Sequence, residues 1–217
     1  MGNFGLGCLR LVNPYAVAFR EARSAVGALD LLKNAEEFKT VAEAVADCSL
    51  VVGTTAVRNR ALQHPLRRLD PHAGSMIRKR LQTGRVALLF GSEKIGLTNE
   101  DFTHCHWLLH VPTHEGHVSM NLGQAVAVCL YELARGAASK SEKHPIDRAT
   151  SGVNEQITQA LLEALHRSGY VKPGTDTISE NKVRRLVRRL NLESMDAKVF
   201  LGMVRQIVWK LRQTTKS

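Results

Sequence analysis

The stretch from residue 85 to residue 133 limits what this chain can fold into more than any other part of it. It contains two short apolar runs, at residues 86–90 and 107–111, and each is long enough to form a buried strand. Each run is followed by a loop rich in Gly, Ser, Glu and Asn, and then by a helical pattern. Strands that alternate with helices predict an α/β fold. Ligands bind the sheets of such folds at the carboxyl ends of the strands, where both loops begin.

The first loop, residues 91–99, reads GSEKIGLTN. Gly91 and Gly96 allow the backbone to turn sharply and to approach a ligand closely. Thr98 is followed three residues later by Asp101, which is the spacing of a capping box. We therefore expect a helix to begin at the end of this loop.

The second loop ends in Ser119, Met120 and Asn121, after which residues 122–135 keep apolar side chains at helical spacing. Ser119 is the expected N-cap of that helix, with its hydroxyl and the Asn121 amide near the end of the preceding strand. A plain capping role for Ser119 and a structural role for Glu93 of the first loop are the alternatives. Either residue taken alone leaves that choice open.

Shorter patterns predict the elements on either side of this stretch. The predicted elements are a strand at residues 8–12, a helix at 15–32, a short helix at 41–46, a buried strand at 49–52 and a helix at 72–83. The predicted strand at residues 49–52 is followed by a loop that contains Arg58 and Arg60. Arginine matches phosphate geometry, so this loop is a candidate contact for the phosphates of a nucleic acid, although basic loop residues are often simply solvated.

The composition changes after residue 135. Residues 136–152 are small and polar and predict a linker between a domain at 1–135 and a second unit at 153–217. Amphipathic patterns predict three helices in that unit, at 154–168, 179–191 and 195–212. In the middle helix, the apolar side chains are expected to be buried and the basic ones to face solvent. The apolar set is Val183, Leu186, Val187 and Leu190, and the basic set is Lys182, Arg184, Arg185, Arg188 and Arg189.

The formal net charge of the 217-residue chain is +10, which favours a polyanionic partner. Residues 153–217 carry 12 basic and 6 acidic side chains, whereas residues 1–135 carry 15 and 12, so the helical unit holds most of the excess. An anionic membrane surface is the rival partner, but the sequence shows no strongly apolar amphipathic helix that would face outward to bind it. We therefore expect the basic helices, with Arg185 and Arg189, to contact nucleic acid, although a solvated face is the alternative for any basic helix.

The cysteine and histidine content offers two further interpretations. Four scattered cysteines, each in or beside an apolar run, predict free buried thiols in a reducing cytoplasm. They are Cys8, Cys48, Cys105 and Cys129. Cys105, His106, His110, His114 and His117 crowd together and suggest zinc, but their spacing matches none of the usual ligand patterns. We therefore predict no metal.

Several of these segments, in order and at matching spacing, resemble the motifs of one enzyme family. The matching segments are GNFGLGCLRLVNP at 2–14, GTTAVRNR at 53–60, FGSEKIGLTNED at 90–101, Val111 with Pro112, and SMNLGQAV at 119–126. They are similar to the SpoU branch of the SPOUT RNA methyltransferases, and most closely to the TrmJ subfamily of tRNA ribose 2′-O-methyltransferases. The resemblance covers most of residues 2–135.

The resemblance implies a fold, a cofactor and a partner. The fold would be a SPOUT-type α/β trefoil-knot domain followed by a small all-helical domain, in a cytoplasmic homodimer. The cofactor would be S-adenosylmethionine, and the acceptor would be a ribose of tRNA, in the anticodon loop. By resemblance, the residues around the cofactor are Thr54, Thr55, Ala56, Gly91, Val111, Val118, Ser119 and Met120.

The resemblance also implies roles for individual side chains. Ser119, Asn121 and Arg60 would act at the reaction centre, with Ser119 orienting the ribose. Glu93 and Asn121 would hold the two loops by hydrogen bonds, and Glu93 would also touch substrate, together with Arg58 and Arg60.

The family's first strand, which carries a motif with an Asn, a Gly and an Arg, has no counterpart before the predicted strand at residues 8–12. In the family, that Arg serves the reacting hydroxyl, and Asn3 and Arg10 do not stand at matching positions. Either the true start lies upstream of Met1 or the chain lacks part of its catalytic equipment. A noncatalytic RNA-binding protein is therefore the second hypothesis, and an rRNA methyltransferase is the third.

Overall fold

A computed structural model describes residues 1–14, 29–56, 63–115, 119–135, 146–172 and 175–214. At its centre is strand β3, Cys48–Thr54, of which all residues but the last are buried. On one side β3 pairs in parallel with β5, Arg85–Leu89, and on the other with β6, Trp107–His110. Strand β4, Leu66–Arg68, pairs in parallel with β6 and completes a four-stranded sheet of order β4-β6-β3-β5.

The remaining elements surround this sheet. A second parallel pair is formed by β1, Arg10–Val12, and β2, Glu36–Phe38. The helices of the first part of the chain are α1, Leu29–Lys33; α2, Val41–Ala44; α3, Pro71–Leu81; α4, Asn99–Thr103; and α5, Leu122–Arg135. They are followed by α6, Ser151–Arg167; α7, Asp176–Leu190; and α8, Ser194–Thr214. The α/β fold predicted from the sequence is confirmed, and the structure shows that its strands pair in parallel.

Both faces of the sheet carry a hydrophobic core. Val51 points to one face, where it packs with Phe102, Leu108 and residues of α2. Its neighbours Leu50 and Val52 point to the other face, towards α3 and α5. Successive side chains of a strand alternate between faces, so a strand covered on both sides must be apolar throughout. The run of apolar residues in β3 follows from this burial.

Helices α6, α7 and α8, called the helical bundle below, pack around a third core centred on Ile157, Val187 and Ala197. The bundle lies against the amino ends of the sheet strands. Ahead of β3, the carbonyl of Ala46 accepts a hydrogen bond from the Gly152 N–H at 2.7 Å. Ahead of β5, Arg80 donates to the Asn191 side chain at 2.7 Å. These contacts leave the carboxyl ends of the strands on the opposite edge.

The burial of α7 differs from the amphipathic prediction. Val187 is buried as expected, but Arg184 and Arg188 are buried as well, whereas Leu186 and Leu190 are 48% and 46% exposed. Arg184 donates two hydrogen bonds of 3.0 Å to the Glu155 carboxylate of α6. Arg188 donates from Nε to the carbonyl of Thr103, at the end of α4, at 3.2 Å. The prediction that both arginines face solvent was wrong, because partners on other elements make their burial tolerable.

Three smaller differences concern the ends of elements and one cysteine. The predicted strand at residues 8–12 is shorter, Arg10–Val12, and most of the predicted helix at 15–32 lies outside the described residues. Helix α6 begins at Ser151 because Thr150 caps it. Cys48, Cys105 and Cys129 are free and buried, but Cys8 is exposed, so its predicted burial was wrong.

Within the described part of the chain, no helix has the length and apolar character needed to cross a membrane.

Candidate functional site

A cavity of about 490 Å³ opens at the carboxyl edge of the sheet. Its walls come from three chain segments that follow β3, β5 and β6, together with the start of α5. The segments after β5 and β6 are called the glycine loop, residues 91–99, and the serine–asparagine loop, residues 112–121. The carboxyl ends of parallel strands meet at one edge, so segments distant in sequence come together there.

The glycine loop closes on itself. Ser92 and Gly96 form an isolated bridge, in which the Gly96 N–H donates to the Ser92 carbonyl at 2.8 Å. Gly96 has φ +70°, and a Cβ on Gly91 would lie 1.9 Å from the carbonyl carbon of Gly96. Both positions therefore require glycine. The loop ends in the predicted capping box, in which the Asp101 N–H donates to the Thr98 hydroxyl and the Thr98 N–H donates to the Asp101 carboxylate.

Asn121 connects the two loops. Its Oδ1 accepts hydrogen bonds from the backbone N–H groups of Gly123 and Gln124, at 2.9 and 3.4 Å, and so caps α5. Its Nδ2 donates to Oε1 of Glu93 at 3.1 Å. The expected hydrogen bond between the loops is present. The prediction that Ser119 caps α5 was wrong, because the helix begins at Leu122 and Asn121 occupies the capping position.

The structure brings together one group of the predicted site residues. Seven of the eight residues expected around the cofactor lie in the described part of the chain, and all seven line the cavity. They are Thr54, Thr55, Ala56, Gly91, Val111, Ser119 and Met120. Glu93 and Asn121 line it too. Val118, Arg58 and Arg60 lie outside the described residues.

Arg185 and Arg189 lie at the other edge of the sheet. Both are close enough to His64 that their charges add to burial, the main cause, in lowering its pKa to about 4. His64 is followed by Pro65, whose carbonyl accepts from the Leu108 N–H in β6, so these groups lie near the amino ends of β4 and β6. Neither arginine lines the cavity.

Sequence reasoning missed three polar residues of the cavity, Ser92, Lys94 and Thr113. Thr113 lines it, and its Oγ1 is a buried atom without a hydrogen-bond partner among the described residues. Lys94 of the glycine loop also lines it. Thr113 follows the predicted strand at 107–111 by two positions, so the rule that ligands bind at strand ends could have found it.

A larger groove, of about 1150 Å³, lies along α6 and α8. Its charged side chains are engaged with one another, as Glu163 accepts hydrogen bonds from Arg167 and Arg212 at 2.7–2.8 Å. Among the described residues, none from the three segments that follow β3, β5 and β6 lines this groove. We therefore assign the functional site to the smaller cavity.

The cluster of cysteine and histidine residues has a structural explanation. Cys105 and His106 are buried beside β6, where burial raises the pKa of the Cys105 thiol to about 12 and lowers that of His106 to about 3. Nδ1 of His106 accepts a hydrogen bond from the Val51 N–H at 3.1 Å. Among the residues that the structure describes, which do not include His117, no three metal-binding side chains converge.

A sequence model described as the SpoU rRNA Methylase family matches residues 1–131, more than half of the chain. The chain belongs to this family. The SpoU match covers β1 to β6, both cavity loops and nearly all of α5. The resemblance that the loop motifs carry is thereby confirmed.

Individual SpoU relatives match nearly the whole chain. A protein of Sodalis glossinidius named tRNA (cytidine/uridine-2′-O-)-methyltransferase TrmJ is 34% identical over 215 residues, which is 95% of this chain and 83% of the relative. The protein of the same name from Klebsiella pneumoniae is 34% identical over 218 residues, with 95% and 87% covered.

Solved structures extend the similarity to the fold. The crystal structure of TrmJ from Z. mobilis has a TM-score of 0.83 and 31% identity, over 95% of this chain and 89% of that one. A probable methylase family protein from Haemophilus influenzae has a TM-score of 0.57 and 30% identity, over 98% and 89% of the two chains.

Proposed function

We propose that this chain is an S-adenosylmethionine-dependent methyltransferase that methylates a ribose 2′-hydroxyl of tRNA. One observation carries the proposal. The glycine loop and the serine–asparagine loop, which hold the family motifs, are joined by the Asn121–Glu93 hydrogen bond around a single cavity at the carboxyl edge of the sheet. The relatives named above, which match 95% of the chain, carry this activity in their names.

The residues present fit the cofactor. A cavity of about 490 Å³ is within the range of roughly 300–1,000 Å³ that small-molecule sites occupy. The lining combines small or apolar residues such as Ala56 and Met120 with the hydroxyl of Thr113, a buried group available for a hydrogen bond. S-adenosylmethionine, when bound, supplies a methyl group already activated on a positively charged sulfur.

The protein must therefore hold the acceptor in line and make its oxygen more nucleophilic. Ser119, at the cavity wall, is our candidate for orienting the ribose. The hydrogen bond between Asn121 and Glu93 holds the glycine loop and the serine–asparagine loop in place relative to each other. A ribose hydroxyl loses its proton only with help, so a cation that stabilises the developing alkoxide is needed. We assign Arg58 and Arg60, in the segment after β3, to the substrate and its phosphates.

Arg185 and Arg189 lie near the amino ends of β4 and β6 and do not line the cavity. We propose that they bind phosphates of the tRNA away from the target ribose, on the same subunit or on a second one. We propose an isologous homodimer, supported by Val128 and Tyr131, which are 37% and 55% exposed on α5 beside the cavity. Sedimentation analysis of the purified chain measures the oligomeric state.

Finer features of the proposal follow from family membership. We propose that the segment leading into α5 threads a trefoil knot, that residues 1–135 form the methyltransferase domain, and that residues 153–217 form a helical RNA-binding domain after a linker. We further propose the anticodon loop as the target and the cytoplasm as the place of action. A crystal structure of the chain with bound tRNA tests the knot, the domain roles and the target together.

The activity is tested by incubating the full chain with bulk tRNA, bulk rRNA and methyl-labelled S-adenosylmethionine, followed by nucleoside analysis. We expect a 2′-O-methylated nucleoside in tRNA. Methylation of rRNA alone would support the rRNA alternative. Binding of tRNA without any product would support the noncatalytic alternative, and methylation of a base or of protein without ribose product would refute the assignment.

A further inference from the structure

We infer that Lys94, at the tip of the glycine loop, is a substrate-positioning residue whose ammonium group binds a phosphate of the RNA next to the target ribose. The inference rests on the proposed function and deepens it. It stands on three observations: the fixed shape of the loop, the position of its tip at the cavity, and the charges that line the cavity.

The loop holds its tip in a defined place. At its base, the Gly96 N–H donates to the Ser92 carbonyl at 2.8 Å, and the Ile95 N–H donates to the Ser92 hydroxyl at 3.4 Å. Beyond the tip, Leu97 is buried in the core beneath the sheet. On the near side, Glu93 is held by Asn121. Lys94 therefore projects from a turn that is anchored on both sides, which lowers the entropy lost when it binds.

The tip faces solvent at the rim of the cavity. Lys94 is exposed, and the neighbouring Ile95 is 66% exposed, yet both belong to the cavity lining. Lys94 makes no hydrogen bond or ion pair with any residue that the structure describes. A long cationic side chain in this position can reach a ligand that enters from solvent, while the floor of the cavity stays available for the cofactor.

The charge of Lys94 has no equivalent around it. Among the described residues that line the cavity, it carries the only positive charge, and Glu93 carries the only negative one. The Glu93 carboxylate is already bonded to the Asn121 amide at 3.1 Å. Every nucleotide brings a phosphate beside its ribose, and phosphate contacts fix the register of a protein on a nucleic acid. Lys94 is the one described cavity residue that brings a positive charge to such a contact.

The test uses the full chain with three substitutions. Lys94→Gln removes the charge, Lys94→Arg keeps it, and Lys39→Gln is the matched control, since Lys39 is exposed on the turn before α2 and outside the cavity lining. For each variant, the dissociation constant for tRNA is measured between about 50 and 200 mM salt. KM for tRNA, kcat, the dissociation constant for S-adenosylmethionine and the melting temperature complete the set.

We expect Lys94→Gln to raise both the dissociation constant and KM for tRNA roughly 5- to 10-fold at low salt, and to reduce the salt slope by about one. Affinity for S-adenosylmethionine and the melting temperature should stay at the wild-type values. Lys94→Arg should restore tRNA binding. A merely structural role would not change the salt slope, and Lys39→Gln should change none of these quantities.

The inference is overturned if Lys94→Gln and Lys39→Gln give the same tRNA affinity and salt slope, or if Lys94→Gln loses cofactor affinity in parallel with tRNA affinity. Failure of the proposed function gives a different pattern. In that case the wild-type chain forms no ribose product at all, whatever Lys94→Gln does to RNA binding.

Discussion

At the scale of single residues, Asn121 does most to shape the site. One amide serves two purposes, because its oxygen caps α5 and its nitrogen holds Glu93 of the glycine loop. The direction of α5 and the separation of the cavity walls are therefore fixed by the same side chain. A substitution that keeps the amide oxygen but loses the nitrogen should therefore distinguish the two effects.

Asn121→Ala removes both contacts, so we expect a loss of about 1 kcal/mol in the free energy of unfolding, typical of a lost N-cap, and weaker cofactor binding. Asn121→Asp keeps an oxygen for the cap and places its negative charge at a helix N-terminus, where it is favourable. The same carboxylate repels Glu93, so stability should stay near wild type while cofactor affinity and turnover fall. Thermal unfolding and titration calorimetry measure the two quantities. Wild-type cofactor affinity in Asn121→Asp would contradict the role of the Glu93 contact.

At the scale of elements, the glycine loop depends on a backbone approach that no side chain tolerates. A methyl group on Gly91 would lie 1.9 Å from the carbonyl carbon of Gly96, so Gly91→Ala must open the loop. The loop lies outside the strands and helices, so the fold should survive. We expect turnover to fall roughly 100-fold, because displacements of about 1 Å at a reaction centre have effects of that size.

The matched control for Gly91→Ala is Gly202→Ala on α8, where a Cβ meets nothing within 4 Å. That substitution should raise stability by about 0.8 kcal/mol through helix propensity and leave turnover unchanged. Initial rates with tRNA and circular dichroism of both variants check the pair. Equal turnover in the two variants would show that the loop tolerates displacement.

Helix α7 shows where sequence reasoning stops. Period and charge located the helix correctly, and the loop motifs located the cavity, because both signals are local in sequence. The burial of Arg184 and Arg188 depends on Glu155, which is 29 residues before Arg184, and on the Thr103 carbonyl, which is 85 residues before Arg188. A partner this distant in the sequence produces no periodic pattern from which the burial could be predicted. The N-cap of α5 was wrongly predicted for a local reason. Ser119 and Asn121 are both suitable capping residues and stand only two positions apart, so the sequence pattern does not choose between them.

The buried charges of α7 lead to a prediction about their common partner. Burial alone would raise the pKa of Glu155, but hydrogen bonds from Arg184 and Gln159 outweigh it and lower that pKa. Glu155→Gln leaves buried Arg188 without a carboxylate and buried Arg184 with only Glu180, so we expect a loss of about 3 kcal/mol in the free energy of unfolding. Glu163→Gln, on the same helix but paired at the surface, should lose much less. Urea unfolding compares them, and equal losses would contradict a special role for Glu155.

At the scale of the whole molecule, the two edges of the sheet have separate tasks. The carboxyl edge holds the cavity, and the amino edge is covered by the helical bundle. Three histidines, His64, His104 and His106, lie at the covered edge close to the arginines of α7 or α3. Burial, reinforced by those positive charges, lowers their pKa values to about 4, 4 and 3. The attachment of the bundle should therefore be sensitive to acid.

Near pH 6.5 the unfolded chain begins to take up protons on these histidines, whereas the folded chain does not until the pH approaches 4. The free energy of unfolding should therefore fall as the pH is lowered from about 6.5 to about 4, by up to about 1.4 kcal/mol per pH unit for each histidine. His106→Asn offers an acceptor to the Val51 N–H without a titrating ring, so it should reduce this slope by nearly one proton. Urea unfolding across this pH range compares the variant with the wild type, and an unchanged slope in His106→Asn would show that its ring is protonated in the folded state, contrary to its burial.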